Sequence, residues 1–268
     1  MYGVFMSMLW SNYVISLLED WRIKNKVEEK SLSRIKAGII SGGRSTRQSV
    51  VPLQLPEIYC PGLRAIPWHS NNDFSWTKLL HDNFSVIRSE FLNIYNQGYL
   101  QPHPEVDKLA ASGSWKEYRF YHMGQKNIGN CLLCPQTTRI IENIDGATTA
   151  GSVFFAATSP GTHIRPHYGP HNMRIRCHFG ISIPSDCWIK VGDETRKWKE
   201  GECLLFDDSF LHEVSNDGPE TRIVLILDVW HPDLTDIEIR AVYYLMTEFV
   251  STKHSWKNFN NAPVFYED

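Results

Sequence analysis

The sequence predicts a mainly β fold, a sandwich or barrel, with helices flanking it at both ends. Short β-rich runs recur from Trp115 onward, at 115–122, 152–158, 173–183, 187–191, 195–198, 202–206, 210–214 and 221–230. Gly192-Asp193, Glu200-Gly201 and Asp217-Gly218 punctuate them as turns. Helical periodicity appears on either side of this block. Many short strands with frequent turns bury their apolar faces in two packed sheets or one closed sheet. The 268 residues suffice for one large domain or two small ones.

Residues 2–18 carry no charge and much apolar surface, at the short edge of what spans a bilayer. Residues 1–20 therefore read as either a membrane anchor or an apolar helix. No basic region precedes them, so a cleaved signal peptide fits poorly. Residues 21–51 are polar and end in Ser41-Gly42-Gly43, a linker composition. The domain itself is placed at 52–250, opening with an extended, proline-rich stretch from Pro52 to Trp68. Over 73–97, Phe74, Leu79, Leu80, Phe84, Ile87, Phe91, Leu92 and Tyr95 recur at helical spacing, and Gly98 closes the helix. After the β block, residues 234–250 carry Leu234, Ile237, Ala241, Tyr244 and Leu245 on one side of a second helix. Residues 251–268 form a polar tail.

The 42% hydrophobic content fits a globular core, and a net charge of −3 gives no polyelectrolyte signal. No basic patch interleaves with aromatics, which argues against nucleic acid as a partner. Six cysteines are too few for a disulfide scaffold at this size. Cys131-x-x-Cys134 has no second pair to complete a four-cysteine zinc site, so it reads as a disulfide or two free thiols.

Candidate chemistry gathers between 161 and 231, which holds His163, His167, His171, His178, His212 and His231. Pro166 and Pro170 argue against a helical His-x-x-x-His zinc site at His163 and His167. Strand alternation puts Arg174, Arg176 and His178 on one face, with Ile175, Cys177 and Phe179 on the other. Adjacent like charges on one face call for an anion or a solvated edge. A short loop centred on Asp217 would set His212 opposite Arg222 on neighbouring strands. Arg222 opens an apolar strand, so its guanidinium needs a carboxylate: a bound acid, or Asp207, Asp208 or Glu213. Two separated histidines could hold Fe(II), which usually takes a nearby carboxylate as well. Two residues after His167, however, stands Gly169.

Pro160-Gly161-Thr162-His163, Pro166-His167-Tyr168-Gly169-Pro170 and Arg174-Ile175-Arg176-Cys177-His178-Phe179-Gly180 resemble the aspartyl/asparaginyl β-hydroxylase family. So do Trp198-x-x-Gly201, Leu205-Phe206-Asp207-Asp208-Ser209-Phe210-x-His212-Glu213 and Asp228-Val229-Trp230-His231-Pro232. The resemblance covers about residues 110–235, more weakly from about 52. Asn130-Cys131-x-x-Cys134-Pro135 and the short N-terminal region look most like the aspartate β-hydroxylase domain-containing proteins.

The resemblance implies a double-stranded β-helix, or jelly roll, and Fe(II)- and 2-oxoglutarate-dependent hydroxylation of a protein substrate by O2. The family's iron sits on two histidines with no protein carboxylate, which accounts for Gly169. By resemblance the metal ligands and catalytic centre are His167 and His212. Arg222 would pair with the far carboxylate of 2-oxoglutarate, Arg176 and His178 would meet its other end, and Trp115 would lie beside it. The domain-containing members are thought of as single-pass membrane proteins, which implies a domain in the lumen of the endoplasmic reticulum. The family commonly has a serine eleven residues before the first histidine, where this chain has Ala156. That departure motivates an alternative, a non-catalytic metal- and 2-oxoglutarate-binding module on the same fold. A third reading, a zinc hydrolase, would need Asp207 or Asp208 as a further ligand.

Overall fold

The computed structural model describes residues 2–41 and 51–251. The strands in chain order are β1 (Trp68–His69), β2 (Gln101–Pro102), β3 (Ala110–Ser112), β4 (Trp115–His122), β5 (Gln125–Lys126), β6 (Ser152–Thr158) and β7 (Thr162–His167). They continue as β8 (Arg174–Ser182), β9 (Cys187–Val191), β10 (Glu194–Arg196), β11 (Cys203–Phe206), β12 (His212–Asn216) and β13 (Arg222–Trp230). The helices are α1 (Tyr2–Lys24), α2 (Ser33–Ile40), α3 (Thr77–Asp82), α4 (Phe84–Asn96), α5 (Val106–Leu109), α6 (Ile128–Leu133), α7 (Pro135–Glu142) and α8 (Asp236–Ser251).

The strands form two antiparallel sheets. The larger runs β1-β11-β8-β13-β6-β4-β2, with β5 beside β4, and the smaller runs β10-β9-β12-β7-β3. From β6 onward the chain crosses between them: β6 in the large sheet, β7 in the small, β8 in the large, β9 and β10 in the small, then β11, β12 and β13 in alternation. That winding is the double-stranded β-helix. It corrects the expected pairing of His212 with Arg222. The 217–221 connection passes from one sheet to the other, so β12 and β13 face each other across the interior rather than sharing a ladder.

Strand parity divides the residues as the sequence suggested. On β8 and β13, Ile175, Cys177, Phe179, Leu225 and Leu227 turn outward onto a core with Ile87, Phe91 and Ile94 of α4 and Ile140 and Ile141 of α7. Phe154, Ala156, Val224 and Ile226 turn inward and meet Ile164, Ile189, Val191 and Val214 of the small sheet. Both faces of β13 are thus buried, which is why its sequence is a nearly continuous apolar run.

Several elements depart from the sequence expectation. The helix over 73–97 is two helices, interrupted at Asn83, whose side-chain amide donates to the Leu79 carbonyl at 2.8 Å. Helices α6 and α7 were not anticipated. Pro135 starts α7, and Glu90 of α4 accepts from the backbone N–H groups of Gln136 and Thr137 at 3.0 and 2.8 Å. The segment read as a linker holds α2, because Ile35 and Ile39 bury against Val14, Leu18 and Trp21 of α1 and Leu245 of α8. Residues 42–50 and 252–268 lie outside the described residues. No helix among the described residues is long and apolar enough to cross a membrane. All six cysteines are free and buried, so Cys131 and Cys134 are two thiols.

Candidate active site

His167 closes β7 and His212 opens β12, and the two are register partners. The ladder then steps from Val214 to Ile164, so β7 bulges by one residue around Arg165 and Pro166. A bulge tolerates a residue without an N–H, so Pro166 fits there. Pro160, Gly161 and Pro166 concealed this strand from sequence reading. The imidazole centroids lie 4.1 Å apart at 50°. Each Nδ1 contacts the carbonyl two residues back, Arg165 at 2.8 Å for His167 and Phe210 at 2.9 Å for His212. A carbonyl only accepts, so both Nδ1 atoms carry the proton and both Nε2 atoms keep a lone pair suited to a metal. Burial pushes both imidazole pKa values down, that of His212 further through His167 beside it, which keeps the rings neutral.

Position 169 has no room for a side chain. A Cβ at Gly169 would lie 2.6 Å from both Cγ and Oδ1 of Asp208. Asp208 is itself occupied: Arg174 Nη2 donates to Oδ2 at 2.5 Å, and Arg176 Nη1 lies 3.2 Å from the same oxygen. Asp207 accepts from the Ser209 N–H at 2.9 Å and from Gln54 Nε2 at 3.0 Å. Among the described residues no group of three His, Cys, Asp or Glu side chains is placed to hold a metal, so the zinc-hydrolase reading has no third ligand.

Arg174 and Arg176 share the interior face of β8, and their counter-charges come from the protein. Asp228, the register partner of Arg176 on β13, accepts from its Nε at 2.8 Å and Nη2 at 3.1 Å. Arg174 Nη1 lies 3.2 Å from Asp228. Burial alone would raise both aspartates, but the two guanidiniums outweigh it and hold both below the usual carboxylate range. Two aspartates of the protein, rather than an anion or solvent alone, thus relieve the repulsion between these arginines. Arg176 lines the cavity as part of a neutral four-residue cluster, not as a free charge.

Arg222 is the contrasting case. It is 1% exposed, its Nε donates to Thr158 Oγ1 at 3.0 Å, and its guanidinium lies 4.5 Å over the Trp198 ring. Its Nη1 is buried without a hydrogen-bond partner among the described residues. The three protein acids considered for it are engaged elsewhere, Asp207 and Asp208 as above and Glu213 with His163 at 3.0 Å. Burial lowers the Arg222 pKa to about 10, so it remains a cation at neutral pH. His178 Nδ1 and Trp115 Nε1 are likewise buried without partners. All three residues line one cavity of about 250 Å³ with His167, His212 and Arg176. A buried cation and two unsatisfied ring nitrogens beside two lone-pair imidazoles fit a metal and a small dicarboxylate.

Sequence reasoning missed His103, Glu117 and Arg119. His103 stacks flat on Trp115, with centroids 3.4 Å apart at 7°. Its Nδ1 accepts from the Glu105 N–H at 3.2 Å, which leaves Nε2–H 3.5 Å from the Glu117 carboxylate. Arg119 donates to Glu117 at 2.9 Å. Alternation along β4 places Glu117 and Arg119 on the face of Trp115, a signal present in the sequence. No sequence periodicity links His103 to that face.

The aspartyl/asparaginyl beta-hydroxylase family model matches residues 81–232. The chain belongs to that family. It is 37% identical over 187 residues to the aspartyl/asparaginyl beta-hydroxylase of Mus musculus, covering 68% of this chain and 25% of that protein. It is 36% identical over 228 residues to aspartate beta-hydroxylase domain-containing protein 2 of Homo sapiens, covering 80% of this chain and 60% of that one. The chain thus spans a quarter of the mouse hydroxylase and about three fifths of the human domain-containing protein. Among solved structures, a Trichoplax adhaerens prolyl hydroxylase in complex with a hypoxia inducible factor peptide fragment aligns with a TM-score of 0.39 and 12% identity, over 62% of this chain and 91% of that one.

Proposed function

We propose that this chain is an Fe(II)- and 2-oxoglutarate-dependent dioxygenase that hydroxylates an aspartyl, asparaginyl or similar side chain of a protein substrate. One observation carries the reading: Arg222, a buried cation without a carboxylate among the described residues, opens onto the same cavity as two imidazoles whose Nε2 atoms are suited to a metal. A buried guanidinium without a counter-charge is costly, and an anionic ligand removes that cost.

In this reading His167 and His212 hold the iron through Nε2. Arg222 holds the far carboxylate of 2-oxoglutarate, with Thr158 fixing the tilt of the guanidinium and Trp198 backing its face. His178, Trp115 and Arg176 take the other end. Bound iron and 2-oxoglutarate would supply the oxidising power drawn from O2, with succinate and carbon dioxide as co-products. The chain binds, orients and excludes water: Phe154, Ile164, Val214 and Ile226 make the cavity walls apolar. The Arg174–Arg176–Asp208–Asp228 cluster adds no net charge there. The second reading, a binding module without turnover, draws on Ala156, which is fully buried on the inward face of β6 and offers no hydroxyl where Thr158 does.

The test is succinate formation from 2-oxoglutarate by the Fe(II)-loaded chain under oxygen, with His212→Ala as reference. Turnover above that reference supports the dioxygenase. Tight binding of Mn(II) and 2-oxoglutarate with no succinate, over a panel of Asp- and Asn-containing peptides, supports the binding module. A chain that binds neither Fe(II) nor Mn(II) sinks both.

A further inference from the structure

Residues 53–60 cross the protein between the loop that follows His167 and the loop that precedes His212, and they hold both. On one side the Leu211 N–H donates to the Leu53 carbonyl at 2.7 Å, and the Leu55 N–H donates to the Ser209 carbonyl at 3.2 Å. Gln54 Nε2 donates to Asp207 Oδ2 and Ser209 Oγ, each at 3.0 Å. These contacts fix the residues leading directly into His212. On the other side the Ile58 N–H donates to the Pro170 carbonyl at 2.9 Å. The Cys60 N–H donates to Asn172 Oδ1 at 2.8 Å, and Asn172 Nδ2 returns to the Cys60 carbonyl at 2.9 Å. These fix the loop that follows His167. Between the two sets of contacts, Glu57 lines the cavity itself.

The strap is anchored at its far end. Cys60 is fully buried in the cluster formed by α1, α2 and α8. A Cβ on Gly38 of α2 would lie 2.8 Å from the Tyr59 carbonyl oxygen, so this helix seats on the strap backbone only because position 38 lacks a side chain. Helices α1 and α2 and the strap all precede residues 81–232, which the family model matches.

We propose that the strap 53–60 is a positioning element for the metal site, with Gln54 as its positioning residue and α2 as its support. The inference rests on the two-histidine metal reading. His167 ends one strand of a bulged ladder and His212 opens the other, and their placement depends on how the loops beside them are held. The strap ties both loops to one backbone segment and that segment to the N-terminal helices. Metal occupancy and strap docking are then reciprocally coupled.

The experiment uses the full chain, with Mn(II) as probe, and reads metal affinity by electron paramagnetic resonance and backbone mobility by amide hydrogen exchange. Gln54→Ala removes the side-chain ties, and Gly38→Ala displaces the strap from a distance without touching either loop. Both variants are expected to bind Mn(II) about 10-fold or more weakly, the size expected for outer-shell supports. The amides of Leu55, Ile58 and Leu211 should exchange faster in both, and Mn(II) should slow those amides in the unaltered chain. Ile87→Val, a core change in α4, controls for general destabilisation and should leave Mn(II) affinity unchanged. Affinities within twofold of the unaltered chain in both strap variants, or an equal loss in Ile87→Val, overturn the proposal. If the unaltered chain binds no Mn(II), the metal reading fails and the inference with it. If Mn(II) binds but exchange at Leu55, Ile58 and Leu211 is the same in Gln54→Ala as in the unaltered chain, only the strap is refuted.

Discussion

Arg222 on β13 and Thr158 on β6 are register partners, and the Arg222 Nε donates to the Thr158 hydroxyl at 3.0 Å. That bond orients a cation that has no carboxylate among the described residues. An uncompensated buried charge destabilises the ligand-free protein. Arg222→Met should therefore raise thermal stability, by on the order of 1–3 kcal/mol, because an apolar side chain replaces an unpaired ion. The same change should weaken 2-oxoglutarate binding about 100-fold, through the loss of charge-assisted hydrogen bonds. Melting curves and a binding titration check both. A loss of stability as large as breaking a buried ion pair would reveal a protein counter-charge for Arg222.

Asp228→Asn has the opposite sign. Asp228 bridges Arg174 and Arg176 on β8, and removing its charge leaves two guanidiniums sharing one carboxylate. The expected destabilisation is about 3–5 kcal/mol, measured by urea unfolding. A change below about 1 kcal/mol would mean that water or ligand, not Asp228, compensates the pair.

Gly169→Asp tests whether a carboxylate could be restored beside the metal. The new Cβ would meet the Asp208 carboxyl carbon at 2.6 Å, and the new charge would compete for Arg174 and Arg176. Destabilisation of about 3 kcal/mol or more is expected, together with weaker Mn(II) binding. A folded variant with tighter Mn(II) binding would contradict the steric account of the two-histidine site.

Asp207 supplies a pH dependence. Burial raises its pKa from 3.8 to about 7, against hydrogen bonds from Ser209 and Gln54 that act the other way. In the range between those values the folded state binds more protons than the unfolded state. The stabilisation is thus fully present below about pH 4 and is lost as pH rises through about 7. Its size is on the order of 3–4 kcal/mol. Asp207→Asn should flatten the stability profile between about pH 4 and 7, followed by chemical denaturation at each pH. An unchanged slope would show that Asp207 is ionised throughout.

Ala156→Ser adds a hydroxyl on the inward face, two residues from Thr158. A hydrogen bond to a charged group contributes about 1.5–3 kcal/mol, so the KM for 2-oxoglutarate should fall by roughly 10-fold or more. No change in KM would show that position 156 does not touch the co-substrate.

Much of the site was legible in the sequence because it rests on strand alternation. Arg174, Arg176 and His178 point inward together, and the period of two from Arg222 reaches Asp228 as well. The same parity could have paired Asp228 with Arg176, yet nothing in the chain order showed that β8 and β13 are neighbours. Strand β7 was hidden because Pro166 reads as a breaker, and only a bulge in the folded ladder makes room for it. His103 became part of the site through a single stacking contact with Trp115, which no local pattern encodes.

The sequence by itself carried the family resemblance, the jelly-roll class and, through that resemblance, the expectation that His167, His212 and Arg222 share a site. The resemblance rests on motifs and the β class on strand alternation and turns, which are properties of the chain. The tertiary structure alone decided which charges are paired. It gave Arg174 and Arg176 their aspartates and, among the described residues, left Arg222 with none. It also placed Asp208 where a side chain at Gly169 would be. Pairing is a matter of distance between strands that are remote in sequence, and that distance exists only once the two sheets have closed on each other.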